Sequence, residues 1–337
     1  MLQRMGSAGE ETMQRLRIPA VPASLFAIIL GLIGLGGCWR LASRLWTLPA
    51  WVGETIMLIA AAIWAILILL YLAKWVWLRA EALAEFRHPV LCCFIALVPI
   101  STTLVGAALL PYQHEIAAAL AAIGIAGQVV FAVYRTGRLW MGGRDPSTTT
   151  PVLYLPTGAG GFVSAIVLSA FGLPDWGIPF FASGVLSSLA IESVIWHRMY
   201  TAPEMAPAMR PTLGIQLAPP AVGCAAYLAV TSGPPDLFVQ VLIGYAVLQA
   251  LLLIRLLPWI ARAGFSAGFW AFTFGTAALA FDAMRFAERG GHGPIADAAR
   301  YAFGAAILII GGIFLGTIWL LVRGKLLPPR LIVANAA

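Results

Sequence analysis

Apolar residues along this chain are grouped in ten long stretches separated by short polar breaks. The stretches fall near residues 20–46, 52–78, 88–110, 114–136, 150–172, 176–199, 209–231, 236–261, 266–287 and 297–322. A helix needs about 20 mostly apolar residues to cross a bilayer, and each stretch reaches that length. The breaks carry turn chemistry: Leu48-Pro49, MGGRDPST at 141–148, LPDWG at 173–177, APEMAP at 202–207, SGPPD at 232–236 and RGGHGP at 289–294. The pattern predicts an all-α integral membrane protein with ten spans.

The stretches alternate in kind. Each odd-numbered one carries a helix breaker about nine residues in: Gly31, Pro99, Pro156, the pair Pro219 and Pro220, and Gly275. The intervals are 68, 57, 63 and 56 residues, which suggests a hairpin of roughly 60 residues repeated five times. A proline removes an amide donor and frees the carbonyl four residues back. In hydrocarbon that group needs a protein partner or a wet cavity. Five breakers at one depth therefore predict a ring with the odd helices inside.

Composition agrees with a membrane location. The 337 residues are 61% hydrophobic and 10% charged, with a mean hydropathy of +0.90, whereas soluble domains are about a quarter charged. The net charge of +7 does not call for nucleic acid, because the basic residues lie in short loops. Sixteen of the 21 fall on one side, and Arg40, Arg44, Arg285, Arg289 and Arg300 on the other. This split predicts an inner membrane protein with both termini cytoplasmic: a tail at 1–17, a membrane domain at 18–325 and a tail at 326–337. Residues 1–17 lack the short apolar core of a signal peptide. Cys38, Cys92, Cys93 and Cys224 all fall in apolar stretches without metal-ligand spacing and read as core residues. Trp46, Trp51, Trp75, Trp77, Trp140, Trp176, Trp259 and Trp319 fall near span ends, as interfacial anchors do.

Several ordered motifs carry a resemblance: AEFRHPVLCCFIALVPISTTLVG (84–106), PVLYLPTGAGGFVSA (151–165), TLGIQLAPPAV (212–222), GYAVLQALLLIRLLPW (244–259) and GFWAFTFGTAALA (268–280). From about residue 20 to 325 the chain resembles the tellurite-resistance (TehA) and dicarboxylate transporter family, which includes the slow-type anion channels of plant guard cells. The resemblance implies five hairpins in quasi-fivefold arrangement around a narrow pore, one pore per subunit of a homotrimer. It also implies a phenylalanine gate, which WAFTFG places at Phe274. The same resemblance puts Ala27, Leu30, Val105, Gly106, Gly158, Ala159, Ala221 and Gly275 on the pore lining. Phe272, about 200° around the helix from Phe274, would point away. The chain departs from the family pattern at Ile29, at Ser193 after Glu192, and in the GAGG of span 5.

No constellation for catalysis stands out. His114-Glu115 begins a zinc-protease motif, but Ala118 occupies the second histidine's position. No phosphate-binding loop or paired intramembrane aspartates occur, so neither an enzyme nor a cofactor is expected. Arg40, Glu192, Arg255 and Asp282 are the deepest charges, and such charges are functional candidates. Glu192 is either a proton site or a structural group bonded to backbone or a nearby arginine. Asp282 is expected to pair with Arg285, three residues on. Small inorganic anions or oxyanions are the expected cargo, attracted weakly by exposed amides and half-helix dipoles. Two readings stay open: a gated anion channel linked by resemblance to tellurite resistance, and a proton-coupled transporter of dicarboxylate, sulfite or tellurite.

Overall fold

The computed structural model describes residues 19–327, and all regular structure among them is helical. The tails at 1–17 and beyond 327 lie outside the described residues. Nine helices there are long and apolar enough to cross a membrane. They are α1 (Ala23–Trp46), α2 (Ala50–Trp77), α3 (Leu91–Leu109), α4 (His114–Trp140), α5 (Pro151–Ala170), α6 (Pro174–Thr201), α7 (Pro207–Val230), α8 (Leu237–Ala263) and α10 (Pro294–Val322). Between α8 and α10 lies α9, a turn of 3-10 helix at Ala267–Phe272 continued by Thr273–Glu288. It carries Asp282, Arg285 and Glu288 toward its end and is not one of the nine apolar spans.

Local chemistry fixes the helix ends. Thr47 closes α1 in the left-handed region at φ 54°, and Pro49 precedes α2. The Asp236 carboxylate accepts from the Val239 amide at 3.1 Å and caps α8. Pro294, whose missing amide costs nothing at a helix start, opens α10. One element escaped the sequence pattern. Residues 79–87, expected as part of a break, form a short helix, Arg79–Arg87. Its Glu85 accepts from Lys74 Nζ at 2.7 Å and from the Ala23 amide at 2.8 Å, tying α2 to the start of α1.

The odd-numbered helices share a second feature. Each begins in non-α turns: Ala23–Phe26, Leu91–Ala96, Pro151–Leu153 with a π turn at Leu155–Ala159, Pro207–Leu217, and Ala267–Phe272. The five breakers lie in or a few residues beyond these turns. Carbonyls left without helical donors find side chains instead. Gln128 of α4, itself buried, donates to the Pro156 carbonyl at 2.6 Å and to that of Leu155 at 3.5 Å.

Packing separates the two sets. Along the membrane-length segments α1, α3, α5 and α7 are 67–72% buried, whereas α2, α4, α6, α8 and α10 are 17–28% buried. Helix α1 contacts α3, α3 contacts α5, α5 contacts α7, α7 contacts α9, and α9 contacts α1. Each even helix packs on the odd helix before it and also touches the next. Close approach depends on small residues: a Cβ at Gly31 would lie 2.3 Å from Thr273 Oγ1 on α9. The even helices turn Leu58, Val133, Leu189 and Leu308 outward. That surface suits lipid and not water.

Candidate functional site

Five inner helices, each following a 3.6-residue period, leave one stripe apiece facing a common axis. Two cavities lie along it. The smaller, about 70 Å³, is at the end where the odd helices begin and takes residues from all five of them. Ala27 and Leu30 come from α1, Phe94 and Leu97 from α3, Leu155 and Ala159 from α5, Ile215 and Ala218 from α7, and Ala271 and Phe274 from α9. Among the described residues its hydroxyl-bearing ones are Ser24 and Thr212, and none is charged.

The larger cavity, about 420 Å³, is at the opposite end. Gly34, Gly37 and Arg40 of α1, Leu104 and Ala108 of α3, Ile166 and Ala170 of α5, Val222 and Ala225 of α7, and Ala278, Phe281 and Arg285 of α9 line it. Phe274 lines both cavities, and among the described residues no other side chain does. It is half-buried, with a ring edge 3.5 Å from where a Cβ on Gly34 would stand.

The expected site residues divide between this axis and the helix contacts. Ala27, Leu30, Ala159 and Phe274 meet at the smaller cavity. Val105 and Ala221 are buried and line neither cavity. Gly106 faces α4, where an added Cβ would lie 2.8 Å from the Ala117 carbonyl oxygen. Gly158 faces Ser188 of α6, and Gly275 faces Leu217 and Ala218 of α7. The reason is helical phase: each of these positions lies one or two residues, and so about 100–200°, off its helix's lining stripe. Phe272 is turned from both cavities, packed over Gly214 and stacked on Phe269. Gly31, Pro99, Pro156, Pro219 and Pro220 likewise serve helix shape and contact, not the lining.

The sequence pattern did not single out Leu97, Leu104, Ile166, Ala218, Val222 or Phe281. Each is apolar on an apolar helix, and the faces toward the axis, neighbour and lipid differ too little in residue type to be told apart by period alone. The residues of the larger cavity that did leave a signal are the arginines. Arg40 donates to Glu54 through Nε at 2.7 Å and Nη2 at 2.6 Å, and through Nη2 to the Ala108 carbonyl at 3.1 Å.

Two polar expectations need correction. Asp282 does not pair with Arg285, which bonds to Glu288 instead. Arg285 continues the lining stripe, whereas Asp282 lies one position off Phe281 and points into the protein. It is fully buried, and neither of its oxygens makes a hydrogen bond. Glu192 is bonded neither to backbone nor to an arginine. Trp196 Nε1 donates to its Oε1 at 2.6 Å, the Tyr245 hydroxyl at 2.5 Å and Gln249 Nε2 at 3.1 Å, while the Tyr154 hydroxyl donates to Oε2. The carboxylate thus joins α5, α6 and α8, away from both cavities. All four cysteines are buried and free.

Many apolar helices, the more exposed set surrounding the more buried, with cavities between the buried ones, define a multi-pass membrane protein. The sequence model of the voltage-dependent anion channel family (SLAC1) matches residues 20–318. The chain is also 36% identical over 307 residues to a tellurite resistance protein TehA homolog of Haemophilus influenzae, covering 90% of this chain and 92% of that protein. This chain belongs to the voltage-dependent anion channel family, and its class is therefore that of a membrane anion channel or transporter.

Proposed function

We propose that the protein is a gated channel for small anions, with ten spans in quasi-fivefold order and Phe274 as the gate. The carrying observation is that, among the described residues, Phe274 alone borders both cavities on the axis. In this reading α9 is the tenth span. Its charges are accommodated because they are buried, paired or face a cavity rather than lipid. In this reading the smaller cavity and both termini are on the cytoplasmic side of a bacterial inner membrane, which the basic character of the loops supports. The closed sequence of contacts among odd helices supports the fivefold order. Glycines with open space around them on the outer helices, Gly244 on α8 and Gly304, Gly311 and Gly312 on α10, offer surfaces for close packing in a homotrimer.

The lining around Phe274 and the smaller cavity suits conduction, because apolar walls with few polar groups hold an anion only weakly. A deep binding well would trap it. An aromatic ring across a narrow apolar passage closes it by contact and by excluding water. Proton coupling through Glu192 is less well supported. Bonds from Tyr154, Trp196, Tyr245 and Gln249 occupy both of its oxygens, and the group lies off the axis. Flux of nitrate and chloride into proteoliposomes, with a proton gradient imposed or collapsed, tests the reading. A channel passes anions down their own gradient in both conditions. Transport that requires the proton gradient would replace this reading with the coupled transporter.

A further inference from the structure

We propose that the larger cavity holds a binding site for a small divalent oxyanion between Arg44 and Arg285. The inference deepens the channel reading and rests on it only for the direction of flux. Three guanidiniums line this cavity: Arg40, Arg44 and Arg285. They are not equivalent. Arg40 is held by both oxygens of Glu54 and by the Ala108 carbonyl, which occupy its Nε and Nη2. Arg44 and Arg285 share one carboxylate: Arg44 Nε lies 3.3 Å from Glu288 Oε1, and Arg285 Nη1 bonds Glu288 Oε2. Both nitrogens at the tip of Arg44, and Nε and Nη2 of Arg285, make no other hydrogen bond among the described residues.

Two cations held on the two oxygens of one carboxylate are brought close together, yet only one of the two charges is balanced. Their remaining donors border a space of about 420 Å³, far more than the roughly 30 Å³ that one water occupies. Planar guanidinium forks suit oxyanions with several oxygens, and a divalent anion gains from both charges where a halide gains from one contact. Across Phe274, the 70 Å³ cavity has no charged residue among the described ones. The site is therefore one-sided: a dianion gathers at the wide mouth, and Phe274 keeps it there.

Sulfate is the probe. In detergent, the purified protein should show a saturable rise in Tm with sulfate, beyond that from chloride at equal ionic strength. Arg44→Gln and Arg285→Gln should each weaken the apparent affinity about tenfold or more. Glu288→Gln removes the competing carboxylate and should tighten it. Arg300→Gln, a like charge change at a residue that stacks on Trp46 and lines neither cavity, should leave it unchanged. A non-saturable response, equal losses from Arg300→Gln and Arg44→Gln, or weaker binding in Glu288→Gln would overturn the site. Because this readout needs no conduction, it stands apart from the fate of the channel reading. In a conducting Phe274→Ala protein, sulfate should block nitrate current from the wide-cavity face at concentrations that have no effect from the other. Equal block from both faces would also overturn it.

Discussion

Truncating Phe274 to alanine should join the two cavities into a continuous path. Removing the ring opens room for about two or three waters, at roughly 30 Å³ each, between spaces of about 70 and 420 Å³. A fully buried phenylalanine costs about 3–5 kcal/mol when cut to alanine. This one is half-buried with a flank in each cavity, so the loss should be nearer about 1.5–2.5 kcal/mol and the protein should still fold. The barrier to anions should fall more sharply, because a hydrated gap no longer strips water from the ion. If the ring supplies even about 3 kcal/mol of that barrier, flux rises roughly a hundredfold. Nitrate and chloride flux in proteoliposomes, normalised to folded protein, measures it. Phe274→Leu should give a smaller rise, and Phe272→Ala should lose packing on Gly214 without gaining flux. If Phe274→Ala and Phe272→Ala both fold and conduct at the wild-type rate, the ring is packing and the passage is closed elsewhere.

Glu192→Gln should leave flux and its pH dependence nearly unchanged while lowering Tm, since the bonds from Tyr154, Tyr245, Trp196 and Gln249 lose a charged acceptor; proton-dependent flux lost from a well-folded variant would contradict this. The Lys74–Glu85 pair is 4% exposed on both sides, so Glu85→Gln should destabilise by about 3–5 kcal/mol, and the double change Lys74→Met with Glu85→Leu should restore part of it in a thermal melt. Gln128→Leu strips the Pro156 carbonyl of its donor and should cost about 1–3 kcal/mol; an unchanged Tm would mean that the π turn needs no such partner. His88 Nδ1 accepts the amides of Val90 and Leu91 at 3.1 Å, and burial holds its pKa below the ordinary value. Its contribution is therefore present above the unfolded pKa of about 6.5 and lost as pH falls through the lower folded value. His88→Asn should flatten the Tm decline on acidification, and a decline as steep as wild type would count against the cap.

The order of elements was legible along the chain because it depends on one-dimensional features. Apolar length set the helices and turn chemistry set their ends, so all ten predicted stretches overlie helices whose limits lie within about four residues of expectation. The exception was Arg79–Arg87, too polar and too short to show as a span, whose helix is held through Glu85 by Lys74 and by the amide of Ala23, 62 positions back. The alternation was visible too, since proline and glycine act on the backbone wherever they occur, and the non-α turns follow them. Burial on alternate helices then appeared where the breakers had placed it.

Orientation within the bundle was another matter. Whether Gly106 faces the axis or α4, and whether Leu104 or Val105 lines the cavity, depends on rotation by about 100° per residue, and an apolar helix gives no reason for one rotation over another. Contacts between neighbouring helices settled it. Tertiary packing likewise gave Arg285 to Glu288 instead of Asp282, gathered four donors on Glu192 and brought Arg44 beside Arg285 from 241 positions away in the chain. The sequence by itself determined a membrane-embedded helical protein with broken and regular helices in alternation, because bilayer thickness and backbone chemistry act locally. Which side chains meet around Phe274 was decided only in three dimensions, because helical phase is fixed by neighbours.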